Sequence, residues 1–201
     1  MAFTKKQICN YALFELGDNR LVISPEIDTN DPLSITVNSL YDLAVGYVAS
    51  RHKWSCLDTQ RFLNKIKEAD NDGMIRFDLP QDFVKVIYFN RYDVFNLSDK
   101  NDFFEIRSGN LYTVSGTADI RYVRLEKNAQ KYDIPYTNCV IKYLAILLAP
   151  SYAGETRRDK LAVEFENQTL PVAIKTDSSN SERRNLAKKS MSSLVQSRRF
   201  G

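Results

Sequence analysis

The chain has one histidine, seven glycines, three cysteines and one tryptophan among 201 residues. With His52 as the only histidine, a histidine-rich metal site is excluded, and a Ser-His-Asp or Cys-His arrangement has a single candidate base. His52 stands beside Lys53 and Trp54 in a basic turn, a setting that suits helix ending or packing better than catalysis. The thinly spread glycines make neither GxGxxG nor a GxxxxGK phosphate loop. Cys9, Cys56 and Cys139 lie far apart with no CxxC spacing, and such a set reads as reduced core thiols of an intracellular product. Long apolar runs are missing too. The longest, Tyr143–Ala149, is too short to cross a bilayer, and Met1–Gly17 spaces its apolar residues helically, unlike a signal peptide. The carboxylate pairs Asp28/Asp31, Asp70/Asp72 and Asp99/Asp102 fall in loops and read as solvated turn residues rather than metal ligands. Neither a cofactor nor an enzyme site is expected.

What is present is a helical grammar at both ends and a strand grammar between them. Thr4-x-x-Gln7 is a capping box, followed by Ile8, Ala12 and Leu16 on one face and Gly17 as a left-handed stop. Asp31-Pro32 opens a second helix whose stripe is Leu33, Val37, Leu40, Ala44 and Tyr47. Arg51, His52 and Lys53 close it with positive charge at the carbonyl end. Short aromatic or β-branched runs then follow: Met74–Leu79, Val84–Phe89, Phe103–Arg107, Leu111–Val114 and Ala118–Leu125. Gly109-Asn110 fits a tight hairpin before Leu111.

Helical grammar returns after Pro135, with Val140, Tyr143, Leu144, Leu147 and Leu148 in a third helix disturbed at Pro150. A fourth starts near Glu155, with Leu161, Phe165 and Val172 facing inward, and Pro171 should kink or end it. The fold class is therefore α+β: a bundle of about four helices (1–56 and 126–177), a small antiparallel β module (57–125) inserted between helices 2 and 3, and an extended C-terminal arm (178–201). Trp54 reads as a structural anchor where the second helix meets the β module.

The formal charge of +3 conceals an asymmetry. Residues 178–201 hold Arg183, Arg184, Lys188, Lys189, Arg198 and Arg199 against Glu182, a balance of +5 that leaves the rest of the chain at −2. Sparse apolar residues in this stretch (Leu186, Met191, Leu194, Val195, Phe200) cannot order it alone. Three readings of the arm stand: a solubilising tail, a nucleic-acid contact, or a segment that docks on a neighbouring protein. Arginine pairs suit carboxylates and phosphates alike, but no aromatic is interleaved among these charges to stack on bases.

Ala12–Gly17, Asp28–Pro32, Tyr41–Trp54 and the Leu144–Ala149 helix, in this order and spacing, resemble the head-to-tail adaptor family of short-tailed bacteriophages, also called tail tubular protein A or the gatekeeper ring. The resemblance implies a structural virion protein rather than an enzyme. It would be assembled in the host cytoplasm and placed at the head–tail interface, away from any membrane. Identical subunits, commonly twelve, would form a ring beneath the portal protein and bear the tail nozzle or the next ring, with DNA passing through the channel without sequence-specific binding. The bundle would make most subunit contacts, the β module would face the tail, and the arm would order on the portal through Arg183, Arg184, Leu186, Lys188, Lys189, Met191, Leu194, Arg198, Arg199 and Phe200. The rival reading is a nucleic-acid-binding module that uses the arm and strand residues Tyr88, Tyr92, Tyr112 and Tyr122 among Arg91, Arg121 and Arg124.

Overall fold

The computed structural model of the chain describes residues 3–17, 31–67, 73–90, 92–93 and 104–180. Among the described residues it is an α+β fold of four helices and two antiparallel sheets. Among the described residues, those up to Ala44, Trp54–Cys56 and those from Asn128 onward form one compact unit, and Val45–Lys53 with those of Leu57–Lys127 form the other. The sequence placed 1–56 wholly in the bundle. The last turns of the second helix instead belong with the β unit, where Lys85 Nζ donates to the Ser50 carbonyl (2.7 Å).

In the helical unit, α1 (Lys5–Glu15) begins with the capping box: Gln7 N–H donates to Thr4 Oγ1 (3.3 Å) and Thr4 N–H to Gln7 Oε1 (2.9 Å). Gly17, at φ +81°, ends it in the left-handed region that a side chain would disfavour. Its core face carries Ile8, Cys9, Ala12 and Leu13, with Leu16 half-buried. Helix α2 (Pro32–Arg51) starts on Asp31, whose carboxylate accepts the Leu33 and Ser34 N–H groups at 3.1 Å each. Val37 and Ala44 are buried as predicted, but Leu33, Leu40 and Tyr47 are only half-buried, and Ser34, Asn38, Tyr41, Val45 and Val48 share the inner face. The reason lies in the composition of α2. Its apolar residues are spread around the helix, so spacing alone could not select the buried face.

Helix α3 (Ile134–Tyr152) is capped by Asp133 and packs against both α1 and the next helix. Pro150 falls in its last turn and the helix continues to Tyr152; Ala153 and Gly154 N–H both close on the Ala149 carbonyl at 2.8 Å. Helix α4 (Glu155–Glu164) then widens into a π turn at Phe165–Thr169, and residues 170–180 are helical again.

Pro171 therefore does not end this helix, which runs on through residue 180. The wide turn lies immediately before it, where the ring would otherwise crowd the preceding carbonyls. An extra residue per turn also shifts the buried stripe: it runs Leu161, Phe165, Leu170, Ala173 and Asp177, and Val172 is 65% exposed rather than inward. The arm expected from Ser178 begins as helix through residue 180; 181–201 lie outside the described residues.

The β unit is a small two-sheet sandwich. One sheet has the order β1 (Asp58–Phe62), β8 (Asp119–Arg124), β4 (Phe83–Phe89), β5 (Tyr92–Asp93); the other has β2 (Lys65–Lys67), β3 (Ile75–Asp78), β7 (Asn110–Thr113), β6 (Phe104–Arg107). Strands β1, β2 and β5 were not predicted. Two of them are polar edge strands with little alternation, Asp58–Phe62 and Lys65–Lys67, so the period-2 signal is weak there. Phe77 and Leu111 from one sheet meet Val86, Phe89, Ile120 and Tyr122 from the other, and the Phe89 and Phe104 rings lie 5.0 Å apart. The β6–β7 hairpin pairs Arg107 with Asn110, so its two turn residues are Ser108 (φ +48°) and Gly109 (φ +74°), not Gly109-Asn110. Two successive positive φ values are what the strand twist requires of such a loop.

Candidate functional site

Three parts of the molecule bear on function: the base from which the C-terminal segment leaves, a groove on the helical unit, and the tyrosine- and arginine-bearing sheets.

The base is an aromatic and acidic centre of the helical unit. Trp54 is fully buried and meets Tyr136 edge-on at 5.4 Å, and Tyr132 meets Tyr136 at 4.9 Å. Burial pushes the Tyr41 and Tyr136 hydroxyls far above the ordinary phenol range, so both stay neutral. Next to Trp54, Ser55 fastens the C-terminal helix. Its N–H donates to both Asp177 oxygens at 3.2 Å, and its hydroxyl donates to Oδ1. Asp177 is 2% exposed.

A second carboxyl faces the first. Asp133 accepts the Tyr136 N–H at 2.9 Å as the α3 cap, while Asp177 and Cys56 also hydrogen-bond with its side chain. Burial first, and then the Asp177 charge, raise the Asp133 carboxyl above its usual range. The Ser55–Asp177 hydrogen bonds tie residues 170–180 to the Trp54–Cys56 corner. The thiols are unsuited to nucleophilic work: burial raises Cys9 to about 11 and Cys56 and Cys139 to about 12.

The groove, of about 560 Å³, is lined by Tyr11 and Phe14 of α1, Ile141 and Lys142 of α3, and Arg157 of α4. A second depression of about 740 Å³ shares Asn138 and Thr169 with it and runs along the π turn towards Asn180. Lys142 bridges Glu15 and Glu164 at 2.9 Å each, while Arg157 donates to the Glu15 carbonyl (2.6 Å). Tyr11 and Phe14 are nearly half exposed.

On the sheets, arginines are matched by carboxylates. Arg121 lies across Asp58 and over the Tyr88 ring, Arg124 pairs with Glu126 (2.8 Å), and Arg107 pairs with Glu105 and covers Tyr112. Tyr122 belongs to the sandwich core, its hydroxyl donating to Asp82 at 3.1 Å. Arg91 and the Tyr92 side chain lie outside the described residues, as do Asp28, Asp70, Asp72, Asp99 and Asp102. Asp31 is a helix cap. Among the described residues no group of three or more His, Cys, Asp or Glu side chains gathers as a metal site, and no helix is long and apolar enough to cross a membrane.

All ten arm residues from Arg183 to Phe200 lie outside the described residues. The Ser55–Asp177–Asp133 cluster escaped the sequence reading. Asp133 before Ile-Pro was a legible cap signal, but Asp177 reaches the buried face only through the π turn. No protein-family model matches the chain, and neither does any curated protein.

Proposed function

We propose that this protein is a head-to-tail adaptor of a short-tailed bacteriophage: a ring subunit between portal and tail that extends the DNA channel. The observation that carries the reading is the order of elements, a helix pair, a β insertion and a helix pair, bearing the Ala12–Gly17, Tyr41–Trp54 and Leu144–Ala149 words. The firmly held helix through residue 180 adds support, since it gives the basic segment a rigid point of departure. In this reading the ring, commonly of twelve copies, is part of the virion, and its C-terminal segment binds an acidic surface of the portal. Positive charge speeds the encounter, and Leu186, Met191, Leu194 and Phe200 prolong the docked state. The nucleic-acid reading has less support, because Arg107, Arg121 and Arg124 already face carboxylates and Tyr122 is buried.

The test is deletion of residues 181–201, which spares Asp177. Circular dichroism and thermal unfolding should match the full chain, whereas portal pull-down should be lost or greatly weakened. A truncated protein that decorates portal normally would overturn the role given to this segment.

A further inference from the structure

We propose that the exposed face of α2 in one copy packs into the α1/α3/α4 groove of a second copy. The proposal deepens the ring reading and rests on it only in taking the occupant to be another copy of this chain.

Helix α2 is unusual for a surface helix: across Pro32–Arg51 its only charged residues are Asp42 and Arg51. Its inner face is used within the subunit, yet Ile35, Ser39, Asp42 and Leu43 are all exposed, Leu43 at 57%. These positions follow the i, i+4, i+7, i+8 spacing that places them on one side of the helix. The result is a ridge of apolar and small side chains with one carboxylate. Asp42 has no hydrogen bond or ion pair among the described residues.

The groove has the matching chemistry. Tyr11, Phe14 and Ile141 supply apolar walls, and Arg157 supplies a guanidinium that donates to one carbonyl and, although its charge reaches Glu164, makes no close salt bridge among the described residues. The neighbouring cation, Lys142, is already held by Glu15 and Glu164, which leaves Arg157 as the partner for an incoming acid. A guanidinium takes a carboxylate through two donors, so Asp42 on Arg157 would set the register while Leu43 and Ile35 bury against the rings. Ridge and groove share no residue. Such a contact is head-to-tail: it leaves the pair with one free ridge on one copy and one free groove on the other, and it closes into a ring when the rotation permits.

Charge reversal tests the contact in the full chain, by sedimentation velocity over a concentration series. Wild type should gain mass with concentration. Asp42→Arg and Arg157→Asp should each weaken association by roughly tenfold or more, and the double reversal should restore most of it. Leu43→Asp should weaken it as well and gain nothing from Arg157→Asp. Circular dichroism confirms that each variant folds.

A strictly monomeric wild type, or single reversals without effect, would overturn the contact; so would a double reversal that does not recover. Portal pull-down separates this outcome from the adaptor reading. Portal binding that survives with no response to the reversals would retain the reading and reject the contact. Reversals that behave as described, in a protein that ignores portal, would retain the contact and reject the reading.

Discussion

In the β unit, Arg107, Arg121 and Arg124 each meet a carboxylate close by on the same sheet or at its edge: Glu105, Asp58 and Glu126. The helical unit is arranged differently. It buries one carboxyl, Asp177, beside another, Asp133, and leaves Asp42 and Arg157 without an ion-pair partner among the described residues. Charges matched locally and near solvent contribute little and recruit nothing. A buried carboxyl fixes geometry, because its donors have no alternative partner, and an exposed unmatched charge beside apolar side chains is available to another molecule. On this contrast, the helical unit is where both rigidity and assembly should respond to substitution.

The largest effect should come from the middle of that unit. Trp54→Ala removes a fully buried indole packed on Tyr136 and should cost about 3–5 kcal/mol in chemical denaturation followed by circular dichroism. An unchanged midpoint would take the indole out of the core.

Asp177→Ala comes next. It strands the Ser55 N–H and hydroxyl and should cost about 1–3 kcal/mol. Hydrogen exchange should show the loss first in residues 170–180; protection unchanged there would mean that the helix is held by its apolar stripe alone.

Asp133→Asn should act in the opposite direction. The folded-state pKa of Asp133 is raised, so its contribution is fully present below the unfolded carboxylate pKa and is lost as pH rises through the folded value. Asparagine keeps the α3 cap and removes the charge beside Asp177. The variant should melt higher than wild type at neutral pH and lose the stability slope on the alkaline side of the unfolded pKa. A variant that is less stable at pH 7 would show that the pair attracts rather than repels.

The smallest effect belongs to the β unit. Arg121→Ala breaks an ion pair whose arginine side chain is 49% exposed, and should cost less than about 1 kcal/mol. A loss as large as that of Asp177→Ala would erase the contrast between the two units.

Much of this architecture was legible in the sequence because local chemistry dictates it. Thr4/Gln7, Asp31-Pro32 and Gly17 each satisfy or terminate backbone groups within a few residues, and the structure places all of them as caps or stops. Several of the failures come from features that the spacing within one segment does not carry. Val172 was assigned to the core by a 3.6-residue period, but the π turn at Phe165–Thr169 added a residue and gave its place to Ala173. The same shift hid Asp177, the last residue that the sequence places in the bundle. Strands β1 and β2 take their pairing from β8 and β3, so their own residues carry little signal. The groove joins residues from α1, α3 and α4, a juxtaposition that no single segment announces.

The adaptor role proposed for this chain is tested most directly by electron microscopy of the purified protein mixed with the portal protein that such a role requires. A second ring should stack coaxially on the portal and be absent when residues 181–201 are deleted. Bare portals at saturating protein would contradict that role.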